Sequence, residues 1–375
     1  MAETIRTKIK IMTFNSIYYP GRFIELWLKF EKKRGNMKRV CVTGAGGYIG
    51  SWVVKLLLSK GYMVHGTVRD PCDETKNGHL KKLENAEERL HLFKADLLDF
   101  ESLCAAFAGC SGVLHVASPV PLHVASNIPG SRVPNPQVEI LDPAILGTQN
   151  VLNACLQAKV EKVVVVSSGS AVLVNPKWPS DMELDESCWT DIEYANSIQD
   201  WYGVSKTTAE MEALNFGKQH SLTVVTICPS LIIGPMLQST INATSLLLLS
   251  YIKGEGRSVI DTMENLKRPY TDVRDLSEAI LLLYENPESN GRYICSAYSL
   301  GTKEVVAKMQ SLFPGYNYPT IFIDRLDIPP LNSKKLLKLG WNYRPLEETI
   351  VDTIKNYEET GLLENGKPFP SMIRF

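Results

Sequence analysis

Apolar runs alternate with stretches of helical apolar spacing from residue 37 onward. Six short runs predict strands, at residues 38–43, 64–68, 90–95, 112–117, 163–166 and 223–228. Apolar positions three and four residues apart predict helices between them, over residues 48–60, 140–158 and 201–220. Strands that alternate with helices pair in parallel through right-handed crossovers. The pattern therefore predicts an α/β fold built on a doubly wound parallel sheet.

Proline and glycine become more frequent toward the C-terminus and divide the chain into shorter elements. Helices are predicted there over 275–284 and 347–360. We expect residues 37–228 to form one domain around the sheet and residues 229–375 a smaller, irregular α/β lobe. Part of 257–300 is expected to return to the first domain.

The balance of charge excludes some classes of partner. The chain has 375 residues with 40 Lys and Arg against 41 Asp and Glu, a net charge of −1. Such a balance gives no reason to expect binding of nucleic acid or anionic lipid. No apolar run reaches the ~18–20 residues of a membrane helix. Residues 1–36 are locally basic and do not have the pattern of a secretory signal. We expect them to form a flexible extension, whose function the sequence leaves open.

The cysteines point to a reducing compartment. Eight cysteines are dispersed along the chain without a Cys-x-x-Cys pair and without clustering beside the six histidines. Thiols in this arrangement are typical of reduced core residues, and the arrangement predicts no metal site. A cytoplasmic protein is the expectation.

Three glycines follow the first predicted strand, at Gly44, Gly47 and Gly50. The first permits a tight turn, the second permits close approach to a pyrophosphate, and the third permits close packing of helix on strand. The helix that begins near Tyr48 and Ile49 directs its free N–H groups and positive dipole end toward the phosphates. This position in the first βαβ unit predicts a Rossmann dinucleotide-binding site.

The end of the second strand predicts which dinucleotide binds. Arg69 stands there, followed by Asp70, and Lys76 lies seven residues beyond Arg69. A guanidinium binds a ribose 2′-phosphate through paired hydrogen bonds, which favours NADPH over NADH. The alternative is a solvated Arg69 paired with Asp70.

A tyrosine and a lysine four residues apart predict the reacting centre. Tyr202 and Lys206 lie on one face of a predicted helix. A phenol is a poor acid–base catalyst near neutral pH, and an adjacent ammonium is expected to lower its pKa. A serine in the segment 167–170, at the end of the fifth strand, is expected to hold the substrate oxygen beside the tyrosine.

From residue 37 to about 363, the chain resembles the extended short-chain dehydrogenase/reductases. The resemblance is to the plant branch containing cinnamoyl-CoA reductases, dihydroflavonol reductases and phenylacetaldehyde reductases. It rests on eight stretches: 42–52 (VTGAGGYIGSW), 66–71 (GTVRDP), 95–97 (ADL), 115–119 (HVASP), 147–151 (GTQNV), 167–168 (SS), 201–206 (WYGVSK) and 291–295 (GRYIC).

The resemblance implies a role for individual residues. It implies Tyr202 as proton donor, Lys206 as its activator and Ser168, rather than Ser167, as the orienting hydroxyl. The cofactor contacts that it implies run from the adenine through the ribose to the nicotinamide: Asp96 and Leu97, then Val116, Ala117 and Ser118, then Pro229, Ser230, Leu231 and Ile232. Two alternatives are structural, with Asp96 capping the next helix and Pro229 ending a strand.

Two departures from the family pattern leave the substrate open. Cinnamoyl-CoA reductases typically read Asn-Trp-Tyr-Cys-Tyr-Gly-Lys, whereas this chain has Asp200 in place of the asparagine. A cysteine pair often found in the family aligns with Ala195 and Gly203. The loop over 121–136 also differs. These changes lie near the expected substrate pocket and put efficient turnover of cinnamoyl-CoA in question.

The expected function is NADPH-dependent reduction of a carbonyl on a phenylpropanoid-type aromatic substrate, acting as a monomer or weak homodimer. An acyl-CoA thioester would give the aldehyde, and surface cations are available to bind its phosphates: Lys253, Arg257, Lys267 and Arg268. The alternatives are reduction of aromatic aldehydes or dihydroflavonol-like ketones, an isomerase of the same fold, or a dinucleotide sensor without catalysis.

Overall fold

A computed structural model of the protein describes residues 38–118, 135–253, 262–325 and 328–364. Two expectations concern residues wholly or mostly outside these ranges, namely the flexible extension over 1–36 and the loop over 121–136. Of the four expected phosphate-binding cations, Arg257 and the side chain of Lys253 also lie outside the description.

The described residues form twelve strands. In chain order these are β1 (Arg39–Thr43), β2 (Met63–Val68), β3 (Leu90–Lys94), β4 (Gly112–His115), β5 (Lys162–Val166), β6 (Thr223–Pro229), β7 (Leu231–Ile233), β8 (Thr262–Asn265), β9 (Lys267–Asp272), β10 (Gly291–Cys295), β11 (Tyr298–Gly301) and β12 (Ile321–Asp324).

Twelve α-helices lie within the same residues. They are α1 (Tyr48–Ser59), α2 (Glu74–Lys81), α3 (Ala86–Arg89), α4 (Phe100–Phe107), α5 (Asp142–Gln157), α6 (Ile192–Ser197), α7 (Trp201–Gln219), α8 (Ala243–Lys253), α9 (Val273–Glu285), α10 (Thr302–Leu312), α11 (Lys334–Lys338) and α12 (Leu346–Glu359). A π-helical turn leads into α5, and a 3₁₀ turn, Gly169–Ala171, follows β5.

The central sheet confirms the doubly wound α/β prediction. Seven strands lie in the order β3-β2-β1-β4-β5-β6-β10, and every neighbouring pair is parallel. The chain builds outward from β1 in one direction through β2 and β3, then in the other direction from β4. Ligands of such sheets bind outside the carboxyl ends of the strands at this switch point. The candidate site therefore lies beyond the ends of β1 and β4.

The side chains of β1 point alternately to the two faces of the sheet and pack into a separate part of the core on each face. Val40 and Val42 pack in one cluster with apolar residues of α1 and α9. Cys41 packs in a second cluster with apolar residues of α4 and α5. Successive side chains of a strand point to opposite faces, so one short run serves both layers of helices. The same burial on both faces explains the uninterrupted valines of β5.

Two small sheets form the C-terminal lobe. In one, β9 pairs in parallel with β7 and antiparallel with β11; the other is the parallel pair β8 and β12. The next strand in sequence after β9, β10, joins the edge of the central sheet at β6. The chain therefore passes from the sheet to the lobe and back again.

The glycine-rich end of α1 is fastened to the lobe. The hydroxyl of Tyr48 donates to the carbonyl oxygen of Gly234 at 2.9 Å, and the indole N–H of Trp52 donates to that of Pro235 at 2.8 Å. Both donors are on α1, and both acceptors follow β7. These bonds hold the two sides of the expected cleft in a defined relation.

A buried ion-pair network lies at the start of α9. Asp272 caps this helix and pairs with Arg274 at 2.8 Å, and Arg274 also reaches Asp352 of α12 at 2.5 Å. Arg344 pairs with Asp275 at 3.0 Å. These pairs fix α12 and the segment before it against α9.

None of the helices described is both long and apolar enough to cross a bilayer. Across the described ranges, no group of three or more His, Cys, Asp or Glu side chains is arranged to hold a metal ion. All eight cysteines are free thiols, and most of them are buried.

Candidate active site

The glycine turn has the close backbone contacts that its sequence predicts. Gly44 adopts a left-handed conformation with φ of 67°, and a β-carbon there would lie 3.0 Å from the α-carbon of Ala117. A β-carbon on Gly50 would overlap the carbonyl oxygen of Gly44. The N–H of Gly47 donates to that same oxygen at 3.0 Å. The turn therefore brings β1, β4 and α1 together at distances that only glycine allows.

The amino end of α1 begins at Tyr48 and Ile49, directly after the turn. Gly47 occupies the N-cap position in an extended conformation, and among the described residues no side chain caps this end. The first N–H groups of a helix have no partner within the helix, and they carry the positive end of its dipole. Backbone donors of Tyr48, Ile49 and Gly50 are thus suited to an anionic group.

Arg69 and Asp70 are both exposed just beyond β2. The Asp70 carboxylate accepts from the N–H of Cys72 at 2.9 Å, and within the described part of the chain no ion pair joins it to Arg69. Lys76 lies in the first turn of α2 and pairs with Asp73 at 3.4 Å. Arg69 is therefore available to a ligand, whereas Lys76 already has a carboxylate partner.

Asn77, which the sequence analysis did not identify, links this region to the glycine turn. It is 4% exposed and donates from its side chain to the carbonyl oxygen of Asp70 at 2.8 Å. Its side-chain oxygen lies against Gly46, where a β-carbon would overlap it. The residues around Asn77 in the sequence carry no local signal of such a contact.

The loop after β3 holds Asp96 and Leu97. The Asp96 carboxylate accepts from the N–H of Leu98 at 2.9 Å. The alternative in which Asp96 caps the next helix is wrong, because Asp99 is the N-cap of α4 and accepts from Ser102. Leu97 lines a cavity together with Ala117, Ser118 and the candidate lysine, Lys206.

The end of β4 is tied to β1 through Thr43. Its hydroxyl oxygen accepts from the N–H groups of Val116 at 3.1 Å and Ala117 at 3.0 Å. The hydroxyl proton is then free for His115, whose Nδ1 lies 2.9 Å away. Burial, and next the charge of Lys206, lowers the pKa of His115 to about 3. His115 is therefore neutral near the candidate lysine, and Ala117 and Ser118 line the same cavity as that lysine.

Tyr202 and Lys206 lie in the first two turns of α7. Asp200 caps this helix by accepting from the N–H of Gly203 at 3.0 Å. Lys206 is 7% exposed, and its Nζ lies 3.4 Å from the carbonyl oxygen of Val166 and 5.9 Å from the centroid of the Tyr202 ring. Burial lowers the pKa of Lys206 to about 8, and the charge of Glu210 acts in the opposite direction.

The phenol differs from expectation in one respect. Burial raises the pKa of Tyr202; a hydrogen bond with Ser168 lowers it, and the charge of Asp200 raises it further. The expected lowering of this pKa by Lys206 is not found: desolvation of the phenol is the largest effect, and the Lys206 ammonium is directed at the backbone carbonyl of Val166. Tyr202 therefore carries its proton at neutral pH.

The two adjacent serines after β5 face different partners. Ser168 bonds to Tyr202, and its Oγ accepts from the N–H of Ser170 at 3.1 Å at the start of the 3₁₀ turn. Ser167 donates instead to the buried carboxylate of Glu210 at 2.7 Å. Extended backbone turns successive side chains in opposite directions, which accounts for the division.

The segment from Pro229 to Ile232 lies where the central sheet meets the lobe. Pro229 ends β6, which agrees with its structural alternative. The hydroxyls of Ser230 and Thr271 lie 2.8 Å apart. Leu231 and Ile232 belong to β7 and pair with β9. No described contact joins this segment to Tyr202 or Lys206.

Asp200 and Gly203, which both depart from the family pattern, contact each other. A β-carbon on Gly203 would overlap the side-chain carboxylate of Asp200 and lie 2.9 Å from its carboxyl carbon. Ala195 accepts from the N–H of Asp200 at 2.9 Å and is fully buried. Glycine at 203 thus makes room for the helix-capping carboxylate beside Tyr202.

The most extensive feature that the sequence analysis missed is a buried ion pair between Glu210 and Arg292. Arg292 Nε donates to Glu210 Oε1 at 2.8 Å, and both side chains are at most 5% exposed. Glu210 lies one turn after Lys206, and Arg292 belongs to the 291–295 stretch of the resemblance. The sequence analysis did not single out Glu210, and the family motif that includes Arg292 did not indicate its partner.

Comparison with known proteins relates this geometry to a family. Residues 40–301 match the model of the NAD dependent epimerase/dehydratase family. Cinnamoyl-CoA reductase 1 of Petunia hybrida is 42% identical over 328 residues, covering 86% of this chain and 93% of the relative.

Two solved structures resemble the chain along most of their length. Vestitone reductase from alfalfa aligns with a TM-score of 0.73 and 33% identity, covering 87% of this chain and 99% of the other. Gre2 in complex with NADPH from Candida albicans aligns with a TM-score of 0.73 and 27% identity, covering 86% and 99%.

Proposed function

Because the chain belongs to the NAD dependent epimerase/dehydratase family and is an NADP-dependent carbonyl reductase, we propose that its substrate is a phenylpropanoid-type aromatic carbonyl compound. The observation that carries the proposal is the position of Tyr202 and the buried Lys206 in the first two turns of α7, with the Ser168 hydroxyl close enough to Tyr202 to lower its pKa. Ser168 follows β5, and Lys206 lines one cavity with Ala117, which lies against Gly44 of the glycine turn.

The residues present fit a dinucleotide. Gly44 and Gly50 leave the turn open to close approach, and α1 presents its first N–H groups beside it. Arg69 is exposed at the end of β2 and supplies a guanidinium for the 2′-phosphate of NADP(H). When bound, the reduced nicotinamide supplies the hydride.

Tyr202 acts as the proton donor in this mechanism. Its raised pKa keeps the hydroxyl protonated at neutral pH, so it gives its proton to the carbonyl oxygen as hydride arrives at the carbon. Ser168 orients that oxygen through its hydroxyl. Lys206 provides a positive charge near the oxygen on which negative charge develops.

A thioester and a simple carbonyl lead to different products. Reduction of an acyl-CoA gives a hemithioacetal that collapses to aldehyde and free CoA, whereas an aldehyde or ketone gives the alcohol. Lys267 and Arg268 of β9 are half-buried cations available for CoA phosphates. The second candidate, an aromatic aldehyde or dihydroflavonol-like ketone, is favoured by the likeness to vestitone reductase and by the Asp200 and Gly203 departures.

The experiment follows NADPH oxidation with a panel of hydroxycinnamoyl-CoAs, cinnamaldehydes, phenylacetaldehyde and dihydroflavonols. We expect turnover in at least one class, and a loss in kcat of at least about 10²-fold for Tyr202→Phe with unchanged NADPH binding by fluorescence titration. Tyr194→Phe, an exposed tyrosine on α6, is the matched control and should keep full activity. Equal rates for wild type and Tyr202→Phe would exclude the proposed proton donor. NADPH binding without turnover of any carbonyl would favour a sensor.

A further inference from the structure

A buried carboxylate with an unusual number of donors lies one helical turn beyond Lys206. Glu210 is 1% exposed and pairs with Arg292 at 2.8 Å. Its two oxygens also accept from the hydroxyls of Ser167 and Thr226, each at 2.7 Å, and from the thiol of Cys228. Burial of a carboxylate is unfavourable unless its oxygens are satisfied, so these donors make a site for an ionised group.

Arg292 connects this carboxylate to the loops of the reacting centre. Besides Glu210, its guanidinium donates to the carbonyl oxygen of Ala171 at 2.7 Å and to that of Cys188. It also stacks on the ring of Trp189, 3.6 Å from the centroid. Ala171 ends the 3₁₀ turn that begins after Ser168. The ion pair thus joins α7, β10 and the turn that presents the Ser168 hydroxyl.

The other groups that face Lys206 are neutral at physiological pH. Burial and then the charge of Lys206 lower the pKa of His115 on β4, and burial followed by Glu210 raises that of the Cys228 thiol on β6. Tyr202 on α7 holds its proton, and β5 contributes the carbonyl oxygen of Val166. Glu210 and Lys206 lie one helical turn apart on α7 and line the same cavity, and among the described groups that act on Lys206 Glu210 is the carboxylate.

We propose that Glu210 is a positioning residue for the Tyr202–Lys206 pair. Held by Arg292, it is the counter-charge that keeps Lys206 as an ammonium, and through Ser167 it fixes the strand end that presents Ser168. This inference rests on the proposed function, because it assigns a task within the same site. A purely structural ion pair would support the fold and would leave the titration of Lys206 unchanged.

The test measures protonation of Lys206 directly in Glu210→Gln. Only a neutral amine reacts with formaldehyde and cyanoborohydride, so the methylation rate of the Lys206 peptide, followed by mass spectrometry against pH, reports its neutral fraction. We expect a midpoint of about 8 in the wild type. In the variant it should fall by about one pH unit, giving about fivefold more reaction at pH 7. The alkaline limb of the kcat profile should move in the same direction.

A second variant covers the case in which Glu210→Gln does not fold. Removing one partner leaves Arg292 buried without a counter-charge, whereas the double variant Glu210→Gln with Arg292→Gln leaves no orphan charge. The double variant should fold and show a smaller fall of the midpoint in the same direction, because loss of the guanidinium charge partly offsets loss of the carboxylate. The matched control is Asp272→Asn, a buried carboxylate 3% exposed whose described ion pairs are with Arg274 and Arg344. It should leave the Lys206 midpoint unchanged.

The outcomes separate this inference from the proposed function. The positioning role would be overturned if a folded Glu210→Gln variant kept the wild-type Lys206 midpoint. If that variant does not fold, the same result in the double variant would overturn it. A midpoint that shifts as much in Asp272→Asn would overturn it too. A shifted midpoint confined to the Glu210 variants, in a protein that reduces none of the carbonyls, would support the role and count against the proposed function alone.

Discussion

The two ends of the candidate cleft are built by different physical means. The proposed nucleotide end consists of the glycine turn and the exposed Arg69, and it offers close backbone approach and a charge in solvent. The reacting end consists of Ser168, Tyr202 and Lys206, set in a buried network of titratable side chains. Sterics dominate at the first end, whereas desolvation and charge dominate at the second.

This difference determines how a substitution acts. At the nucleotide end there is no space for a methyl group added at Gly44 or Gly50, because the neighbouring atoms belong to the backbone. At the reacting end the same methyl-sized change alters hydrogen bonds and pKa values while the fold persists. Each prediction below tests whether the two ends separate in this way.

The largest effect is expected at the nucleotide end, from Gly50→Ala. Its new β-carbon would overlap the carbonyl oxygen of Gly44, so the turn must move away from β1 and β4. We expect the Kd for NADPH to rise by more than about 10²-fold. Fluorescence titration measures it. The control is Gly78→Ala on α2, whose β-carbon would meet only the flexible end of Glu74, at 3.2 Å. Wild-type affinity in Gly50→Ala would contradict the steric account.

The next effect contrasts two adjacent serines at the reacting end. Ser168→Ala removes the hydrogen bond to Tyr202 and should lower kcat by about 10²-fold with little change in stability. Ser167→Ala removes a donor from the buried Glu210 carboxylate and should lower the free energy of unfolding by about 1–3 kcal/mol. Steady-state kinetics and urea unfolding on both variants check the pair. A reversed pattern would assign the orienting role to Ser167.

The smallest effect is expected from Arg69→Ala. Because this guanidinium is exposed, its bond to a 2′-phosphate is partly offset by water, and we expect the KM for NADPH to rise about tenfold with that for NADH unchanged. Lys76→Ala is the matched control, since that ammonium already pairs with Asp73, and it should change either constant less than about threefold. Equal effects of Arg69→Ala on both cofactors would remove the specificity role.

Features local in the sequence were well predicted. Six of the seven strands of the central sheet and the helix carrying Tyr202 and Lys206 begin within one residue of their expected starts and end within two residues of their expected ends. The seventh strand, β10, was not predicted as a strand. The glycines that the sequence analysis singled out lie where the turn has close backbone contacts. A turn that needs φ near 67° at residue 44 favours glycine there, so the sequence itself shows the requirement.

Expectations that depended on the tertiary environment of a side chain were less accurate. The lowering of the Tyr202 pKa was inferred from the position of Lys206 four residues away, but the net shift depends on how deeply the phenol is buried and where the ammonium points. The capping role considered for Asp96 was wrong because Asp99 lies one turn closer to α4. The spacing of residues in the sequence does not indicate how deeply a side chain is buried or where it points.

The sequence by itself determined the parallel sheet, the dinucleotide turn and the Tyr-x-x-x-Lys spacing, because each arises from residues close together in the chain. Only the tertiary structure decided which serine faces Tyr202 and that Glu210 on α7 pairs with Arg292 on β10. Those two residues are joined when β10 returns to the sheet at β6, and a contact across 82 positions has no periodicity to reveal it. The charges around the reacting centre were therefore settled by packing.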